Sequence, residues 1–329
     1  MARIRAFENA AEIASQGGVA AWGLNAADKP ALVRGPLHLS TGQEAVATGV
    51  CAHLGVRDLL TSTHRGHGHT LAKGAALVPM MCELFGRATG TNKGKGGSMH
   101  IADFGVGMLG ANGVVAAGIP IAVGAAHAIK IKRQRLVVAC FFGDGAVNRG
   151  PFLEGLNWAQ VYGLPVLFIC EDNRISATTP TGPMTAGEGA AARARSLGIS
   201  GLTVDGNDVL AVFEAAGKLV DAVRAGGGPR FLHALTYRFK GHVSVDAGSY
   251  RDAAEVEAAK LSDPLLLARA RLLAQGMAAA EIDAVDAAAH AEIDAALAAA
   301  EAAPWPEAQA AFEDVMTTLA TRAGATTWR

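Results

Sequence analysis

The feature that most constrains the fold is an apolar run, LVVACFF at residues 136–142, that ends abruptly at Gly-Asp-Gly. Seven consecutive apolar residues that end at a glycine are typical of a strand that is buried on both faces of a sheet. A helical pattern at 151–162 follows, and then a second apolar run, PVLFICEDN at 165–173. Strand, helix and strand in this order predict a right-handed crossover between two parallel, neighbouring strands.

The same alternation continues along the chain. Strand-like segments at 202–206 and 229–239 flank a helical segment at 207–225. This order predicts an α/β fold with a mostly parallel sheet and helices on both faces. We therefore expect an α/β domain over residues 1–252, which begins with a helical segment, and an alanine-rich helical extension over 253–329 packed on the same domain.

The first hundred residues carry few strand-like runs. Helical spacing of apolar residues predicts helices at 8–22 and 43–54. The glycine-dense stretch 85–115 predicts loops rather than regular elements. A helix of small residues is expected from 119 to 130.

Composition bounds the function. The 329 residues include 29 Lys and Arg against 30 Asp and Glu, a formal net charge of −1, so we expect no nucleic-acid or membrane-surface role. Four cysteines without CxxC spacing favour a reducing compartment, and the absence of a long apolar N-terminal stretch predicts no secretory signal. We expect a cytoplasmic protein.

Polar residues follow both central strands at their carboxyl ends. Parallel neighbours end at the same edge of a sheet, so Asp144 and Asn173 are predicted to lie side by side. Carboxylate and amide oxygens suit Mg²⁺, and the flanking Gly143 and Gly145 allow a phosphate to approach the backbone. The helix after Gly150 points its partial positive charge at the same place. The pattern predicts a metal that bridges a diphosphate to the sheet; a simple helix-capping turn, with Asn173 in an Asx turn, is the alternative.

The pattern GDGA at 143–146 with a later EDN is similar to the thiamine diphosphate signature. The chain also resembles, over roughly residues 30–255, the alpha subunit of the dehydrogenase (E1) component of 2-oxo acid dehydrogenase complexes. The HRGHGH and MLGANG stretches suggest the acetoin dehydrogenase type. The resemblance rests on HLSTGQEAVATGV (38–50), STHRGHGHTLAKG (62–74), KGKGGSMHIAD (93–103), LGANGVVAAGIPIAVGAA (109–126), FFGDGAVNRGPFLEGLN (141–157) and TYRFKGH (236–242).

The resemblance implies a thiamine-diphosphate-binding fold and a role for individual positions. The implied ligands of thiamine diphosphate are His64, Arg65, Gly113, Val115, Asp144, Gly145, Ala146, Asn173, Ile175 and His242. The implied ligands of Mg²⁺ are Asp144, Asn173 and the carbonyl of Ile175. The implied catalytic residues are His38, His67 and His242.

The resemblance also implies an activity and partners. The expected reaction is cleavage of acetoin and transfer of the acyl unit to lipoamide, with pyruvate or a branched 2-oxo acid as the alternative substrate. One metal–diphosphate half is present, so a beta subunit is expected to supply the glutamate that activates the cofactor, in an α2β2 heterotetramer. A lipoyl-bearing acyltransferase is the second implied partner. Val243 stands where kinase-regulated relatives carry serine, so that regulation is not carried over.

Three other interpretations compete with this one. Gly105, Gly107 and Gly110 spell GxGxxG, but no strand pattern precedes them and residues 111–143 contain no acid to bind a ribose, which disfavours a nicotinamide site. His64, His67 and His69 are spaced closely enough to suggest zinc, although no nearby Cys or acid completes a set. A regulatory chain without catalysis is the third, and the intact set of implied ligands disfavours it.

Overall fold

The computed structural model describes residues 1–16, 30–33 and 35–314 of the chain. Its strands are β1 (Leu59–Thr61), β2 (Met108–Gly110), β3 (Val138–Gly143), β4 (Val166–Asp172), β5 (Ile175–Ser176), β6 (Thr179–Pro180), β7 (Gly201–Asp205) and β8 (Arg230–Leu235). Six of them form one sheet in the order β2–β1–β3–β4–β8–β7, in which every neighbouring pair is parallel. Strands β5 and β6 form a separate antiparallel hairpin. The predicted α/β fold with a mostly parallel sheet is confirmed.

Helices pack on both faces of the sheet. They are α1 (Ala2–Ser15), α2 (Glu44–Cys51), α3 (Gly66–Ala72), α4 (Leu77–Leu84), α5 (Gly118–Ile131), α6 (Gly150–Val161), α7 (Gly189–Ser196), α8 (Val209–Arg224), α9 (Ala253–Lys260), α10 (Pro264–Ala274) and α11 (Ala279–Ala302). Short 3-10 segments lie at Ser98–His100, Phe104–Val106, Asp144–Asn148, Gly182–Met184 and Ala308–Phe312.

The position of β3 between two core clusters explains why its sequence is apolar without interruption. Ala139 and Phe141 point into one core cluster, with side chains of α1, α2, α8 and α11. Cys140 and Phe142 point into the other, with side chains of α5 and α6. Because side chains alternate between faces along a strand, burial on both faces requires an apolar residue at every position.

The predicted crossover is present. Strand β3 pairs in parallel with β4 from Val138↔Val166 to Gly143↔Glu171, and α6 connects them. Both strands therefore end at one edge, where Asp144 follows β3 and Asn173 follows β4.

The prediction that residues 85–115 contain only loops is wrong. Strand β2 lies in that stretch, and both it and β1 are only three residues long. Such short strands carry no alternation, and their parallel pairing, Leu60↔Met108, is what stabilises them. Gly107 is required where the chain enters β2: its φ is 79°, and a Cβ there would lie 2.3 Å from the Asp58 carbonyl oxygen. No helix follows β2 directly, so the GxGxxG glycines do not join a strand to a helix.

The alanine-rich segment forms α9, α10 and α11, and it contains no strand as far as residue 314, the last of the described residues. Ala289, Ile293, Ala296 and Ala300 of α11 are buried in the same core cluster as α1 and α4. Residues 17–22 of the first predicted helix and 315–329 of the extension lie outside the described residues, so the division at residue 252 stays a prediction. In the described chain, no helix has both the length and the apolarity needed to cross a bilayer.

Candidate active site

A cleft opens at the edge where β3 and β4 end. The implied cofactor ligands that line it are His64, Arg65, Val115, Asp144, Gly145, Ala146, Asn173, Ile175 and His242. Gly113 does not line the cleft, although Asn112 and Val114 on either side of it do. The topology thus brings together implied ligands that are up to 178 positions apart, from His64 to His242 (242 − 64).

Asp144 is a buried carboxylate without a cationic partner among the described residues. It begins the 3-10 segment after β3, and its Oδ2 accepts a hydrogen bond of 2.6 Å from the Thr181 hydroxyl. Burial raises the pKa of Asp144 to about 6 and the negative Asp172 adds to the rise, while the Thr181 hydrogen bond opposes it. A divalent cation would supply the missing positive charge.

Asn173 forms the Asx turn that was the alternative interpretation. Its Oδ1 accepts a hydrogen bond of 3.2 Å from the backbone N–H of Ile175, and its Nδ2 donates to Gln43 Oε1 at 3.2 Å. Two contacts fix the amide, so its carbonyl oxygen faces a defined direction. An amide oxygen has two lone pairs, so the turn leaves one available to a metal. The turn and the metal site are therefore compatible.

Two buried guanidinium groups lie at the cleft without a carboxylate partner among the described residues. Arg65 donates to the backbone carbonyls of Leu39 and His242 at 2.8 and 2.9 Å. Arg238 donates to Ala177 and Tyr250, and its Nε has no partner in the described part of the chain. Burial, followed by the charge of Arg238, lowers the pKa of Arg65 to about 9. Buried cations of this kind call for an anion, and a diphosphate fits.

Three imidazoles lie beside these cations. His64 and His242 line the cleft, and the ring of His38 contacts them edge-on, with centroids 4.6 and 4.9 Å away. Burial, then the charge of Arg65, lowers the pKa of His38 to about 3, of His64 to about 2 and of His242 to about 4. All three are therefore neutral at pH 7. Arg65 Nη2 lies 3.3 Å from His242 Nδ1, and an arginine only donates, so His242 carries its proton on Nε2.

The zinc interpretation of His64, His67 and His69 is wrong. His67 is engaged by Glu8 and Ser98 at 2.9 and 3.0 Å, and His69 by Ser62 and Glu171 at 2.7 and 3.0 Å. Only His64 of the three reaches the cleft. The histidines that do converge are His38, His64 and His242, whose ring nitrogens lie within 4.8 Å of one another. Two adjacent unpaired guanidinium groups oppose a divalent cation there, so we assign these imidazoles to hydrogen bonding.

His67, one of the implied catalytic residues, lies away from the cleft. Its side chain has no exposed surface and does not line the cleft. Sequence reasoning also missed three residues that line the cleft, Gln43, Glu171 and Arg238, and it missed Thr181, which donates a hydrogen bond to Asp144. Gln43 and Arg238 lie within stretches that carried the resemblance, HLSTGQEAVATGV and TYRFKGH, so a signal for them existed. Thr181 lies in a Pro/Gly loop and had no comparable signal.

The raised pKa of Asp144 predicts a pH dependence of cofactor binding. Only the ionised carboxylate is a good metal ligand, so Mg²⁺-dependent affinity for thiamine diphosphate should fall as the pH drops below about 6. The expected slope is roughly tenfold per pH unit, because one proton competes with one metal ion. Calorimetric titrations at pH 5, 6, 7 and 8 measure it. The neighbouring imidazoles titrate at or below about pH 4 and cannot produce this midpoint; a constant affinity from pH 5 to 8 would exclude Asp144 as a ligand.

Comparison with known proteins gives a consistent result. A model of the family described as "Dehydrogenase E1 component" matches residues 26–309. The alpha subunit of acetoin:2,6-dichlorophenolindophenol oxidoreductase from Bacillus subtilis is 52% identical over 217 residues, 66% of this chain and 65% of that one, a little under two thirds of its length. The subunit of the same name from Cupriavidus necator is 44% identical over 285 residues, 86% of each chain. A pyruvate dehydrogenase E1 component subunit alpha from Porphyra purpurea is 40% identical over 254 residues, 75% of this chain and 74% of that one.

Proposed function

This chain belongs to the dehydrogenase E1 component family, and we propose that it is the alpha subunit of a thiamine-diphosphate-dependent enzyme that cleaves acetoin. The single observation that carries the proposal is the cleft at the ends of two parallel strands. An acid without a cationic partner and two guanidinium groups without a carboxylate partner, as far as the described residues go, lie there together. That charge pattern fits a diphosphate with its Mg²⁺. Pyruvate is the second candidate substrate, because two E1 alpha subunits named for it are 40% and 38% identical to this chain, less than the two acetoin relatives.

The residues of this chain would hold the cofactor by its charged end. Asp144 and Asn173, with the Ile175 carbonyl, would bind Mg²⁺, and Arg65 would neutralise diphosphate oxygens. Gly145 lines the cleft beside them, and a Cβ there would lie 2.3 Å from the Ser176 hydroxyl oxygen, so a side chain would fit only if Ser176 moved. When bound, thiamine diphosphate supplies a carbon nucleophile and an electron sink for carbon–carbon cleavage.

The neutral imidazoles would donate hydrogen bonds to the substrate and accept hydrogen bonds from it. His242 carries its proton on Nε2, with Nδ1 facing Arg65 at 3.3 Å, so it is set to donate a hydrogen bond to a carbonyl or hydroxyl oxygen. Acetoin is uncharged, so it demands hydrogen bonds rather than an ion pair from the residues around it. His64 on the cleft and His38 behind it extend this donor and acceptor set.

The proposal includes a partner. The described residues supply one diphosphate half and no second α/β unit that could cover the cleft, and the relatives are named as subunits. We propose a beta subunit that completes the site in an α2β2 assembly, and a lipoyl-bearing acyltransferase as acceptor. The four cysteines are buried free thiols, which fits the expected cytoplasmic location.

The decisive test is an assay of the full chain purified with its beta partner. With Mg²⁺ and thiamine diphosphate present, acetoin and water should yield acetaldehyde and acetate while 2,6-dichlorophenolindophenol accepts two electrons. We expect kcat/KM for acetoin to exceed that for pyruvate by at least about tenfold, which is about 1.4 kcal/mol of transition-state discrimination. A preference for pyruvate would move the assignment to the second substrate. Tight NAD binding without thiamine diphosphate binding would reject the proposal.

A further inference from the structure

Glu8 is a carboxylate on α1 with no exposed surface. It precedes residues 26–309, which the family model matches, and no sequence pattern drew attention to it. Its Oε1 accepts hydrogen bonds from the backbone N–H and the hydroxyl of Ser40, at 2.9 and 2.6 Å. Its Oε2 lies 2.9 Å from Nδ1 of His67. Both oxygens are therefore engaged, which fixes the plane of the carboxylate.

A network of hydrogen bonds runs from Glu8 towards the cleft. The other ring nitrogen of His67, Nε2, lies 3.0 Å from the hydroxyl oxygen of Ser98. That oxygen also accepts a hydrogen bond of 3.3 Å from the backbone N–H of His38. The ring of His38 in turn contacts His64 and His242, which line the cleft. Helix α1 thus reaches the candidate active site through four residues.

The direction of each hydrogen bond is set by the two ends of the network. Burial alone would raise the pKa of Glu8, but His67 and Ser40 outweigh it and hold that pKa below its usual range. An ionised carboxylate only accepts, so Nδ1 of His67 carries a proton. At the other end, the backbone N–H of His38 donates to the Ser98 oxygen, and since Nε2 of His67 carries no proton when Nδ1 does, the Ser98 hydroxyl donates to that nitrogen. Every donor in this network then has an acceptor.

We propose that Glu8 is a positioning residue for the reaction at the cleft: it holds His67 in the Nδ1–H tautomer and, through Ser98, anchors His38 against His64 and His242. This inference rests on the proposed function of the cleft and explains why His67 lies behind it rather than in its wall. The buried imidazole supports a neighbour instead of touching substrate. The same logic orients histidines that bind metals, where supporting partners are worth roughly 10- to 100-fold in activity.

A glutamine in place of Glu8 would reverse the direction of the hydrogen bonds that His67 makes. The Ser40 backbone N–H requires an acceptor, so the amide oxygen of the introduced glutamine would face Ser40 and its NH2 group would face His67. His67 would then carry its proton on Nε2 and donate to Ser98, so the Ser98 hydroxyl proton would lose His67 as its acceptor. Glu8→Gln therefore keeps the volume of the side chain but inverts the tautomer of His67.

The first test measures catalysis by the full chain in complex with its beta partner. For Glu8→Gln we expect kcat to fall about tenfold or more with a displaced pH profile, while KM and the affinity for Mg²⁺ and thiamine diphosphate change less than about twofold. The matched control is Asp58→Asn, a buried carboxylate at the opposite edge of the sheet that binds Arg224 at 2.6 Å. It should lower stability and leave kcat unchanged. An unchanged kcat and pH profile in Glu8→Gln would overturn the inference.

If Glu8→Gln fails to fold, Ser98→Ala tests the same network from the other side. That change keeps the Glu8–His67 pair and removes only the link to His38, so it should reproduce the loss of kcat. A normal kcat in Ser98→Ala would overturn the inference.

The second test has a readout that does not depend on activity. In the full chain labelled with ¹⁵N-histidine, long-range proton–nitrogen spectra should report His67 as the Nδ1–H tautomer, and Glu8→Gln should convert it to the Nε2–H tautomer. The His67→Asn spectrum identifies the signal. An Nε2–H form or an imidazolium in the parent would overturn the inference. An inactive parent with the expected spectra would instead reject the proposed function and leave the tautomer assignment standing.

Discussion

Replacing Asp144 by asparagine should abolish Mg²⁺-dependent retention of thiamine diphosphate and, at the same time, stabilise the cofactor-free protein. The loss follows because a neutral amide replaces the only charged oxygen ligand in the proposed metal set. We expect the affinity in the presence of Mg²⁺ to fall at least about 100-fold, close to 3 kcal/mol. Titration calorimetry with and without Mg²⁺ measures it.

The gain in stability follows from the pKa of Asp144. Because its pKa in the folded protein, about 6, lies above the 3.8 of an exposed group, the folded state binds the proton more tightly than the unfolded state. The penalty for the charge is therefore absent below pH 3.8 and fully developed above about pH 6. A difference of about two units amounts to about 2–3 kcal/mol at pH 8. The introduced asparagine would still accept the Thr181 hydrogen bond, so thermal unfolding of the variant at pH 8 should occur several degrees higher.

The neighbouring Asp172 provides the matched control because its surroundings shift its pKa in the opposite direction. Burial would raise its pKa, but a hydrogen bond of 2.8 Å with His233 outweighs burial and holds that pKa below the usual range. Asp172→Asn should therefore destabilise the protein at pH 8, where Asp144→Asn stabilises it. If both variants shift the unfolding temperature in the same direction, the buried charge of Asp144 is not the cause. Unchanged cofactor affinity in Asp144→Asn would remove this residue from the metal site.

The parts of the site that sequence could predict are those fixed by strand geometry. The apolar run of β3 and the crossover to β4 place Asp144 and Asn173 at one edge whatever the rest of the chain does. Each of these residues directly follows its strand, so its side chain lies at the carboxyl edge of the sheet. The short strands β1 and β2 were out of reach, since three residues hold no period and their partners lie 48 positions apart, Leu60 and Met108 (108 − 60).

The histidines show what the sequence could not predict, namely which of them converge at the cleft. His64, His67 and His69 are close in sequence, yet α3 begins at Gly66 and turns His67 and His69 towards buried acids, Glu8 and Glu171. Residues along a helix point in directions set by its turn of 3.6 residues, so proximity in sequence did not mean convergence at the cleft. The resemblance supplied the residue types of the site, but only the packing of α1 against α3 identified the partner of His67.

Removing the charge of Arg65 should have the second large effect. Arg65→Met is expected to lower the affinity for thiamine diphosphate by about 100-fold or more, because two charge-assisted hydrogen bonds to phosphate are worth about 3 kcal/mol or more together. Arg65→Lys should recover only part of this loss, since a single ammonium group cannot reproduce two parallel N–H donors. The affinity for thiamine monophosphate should fall less between the parent and Arg65→Met than the affinity for the diphosphate does.

Arg65→Met should destabilise the cofactor-free protein less than the loss of an arginine that pairs with a carboxylate would. Burial lowers the pKa of Arg65 to about 9, so its charge disfavours the folded state at neutral pH, and that penalty declines only as the pH rises above 9. Methionine removes the penalty but leaves the Leu39 and His242 carbonyls without this donor, so we expect an unfolding temperature within a few degrees of the parent. The matched control is Arg224→Met, whose guanidinium pairs with Asp58 at the opposite edge of the sheet. That variant should lose stability and keep its cofactor affinity. The reverse outcome, a cofactor affinity that depends on Arg224 and not on Arg65, would mean that Arg65 does not bind the diphosphate.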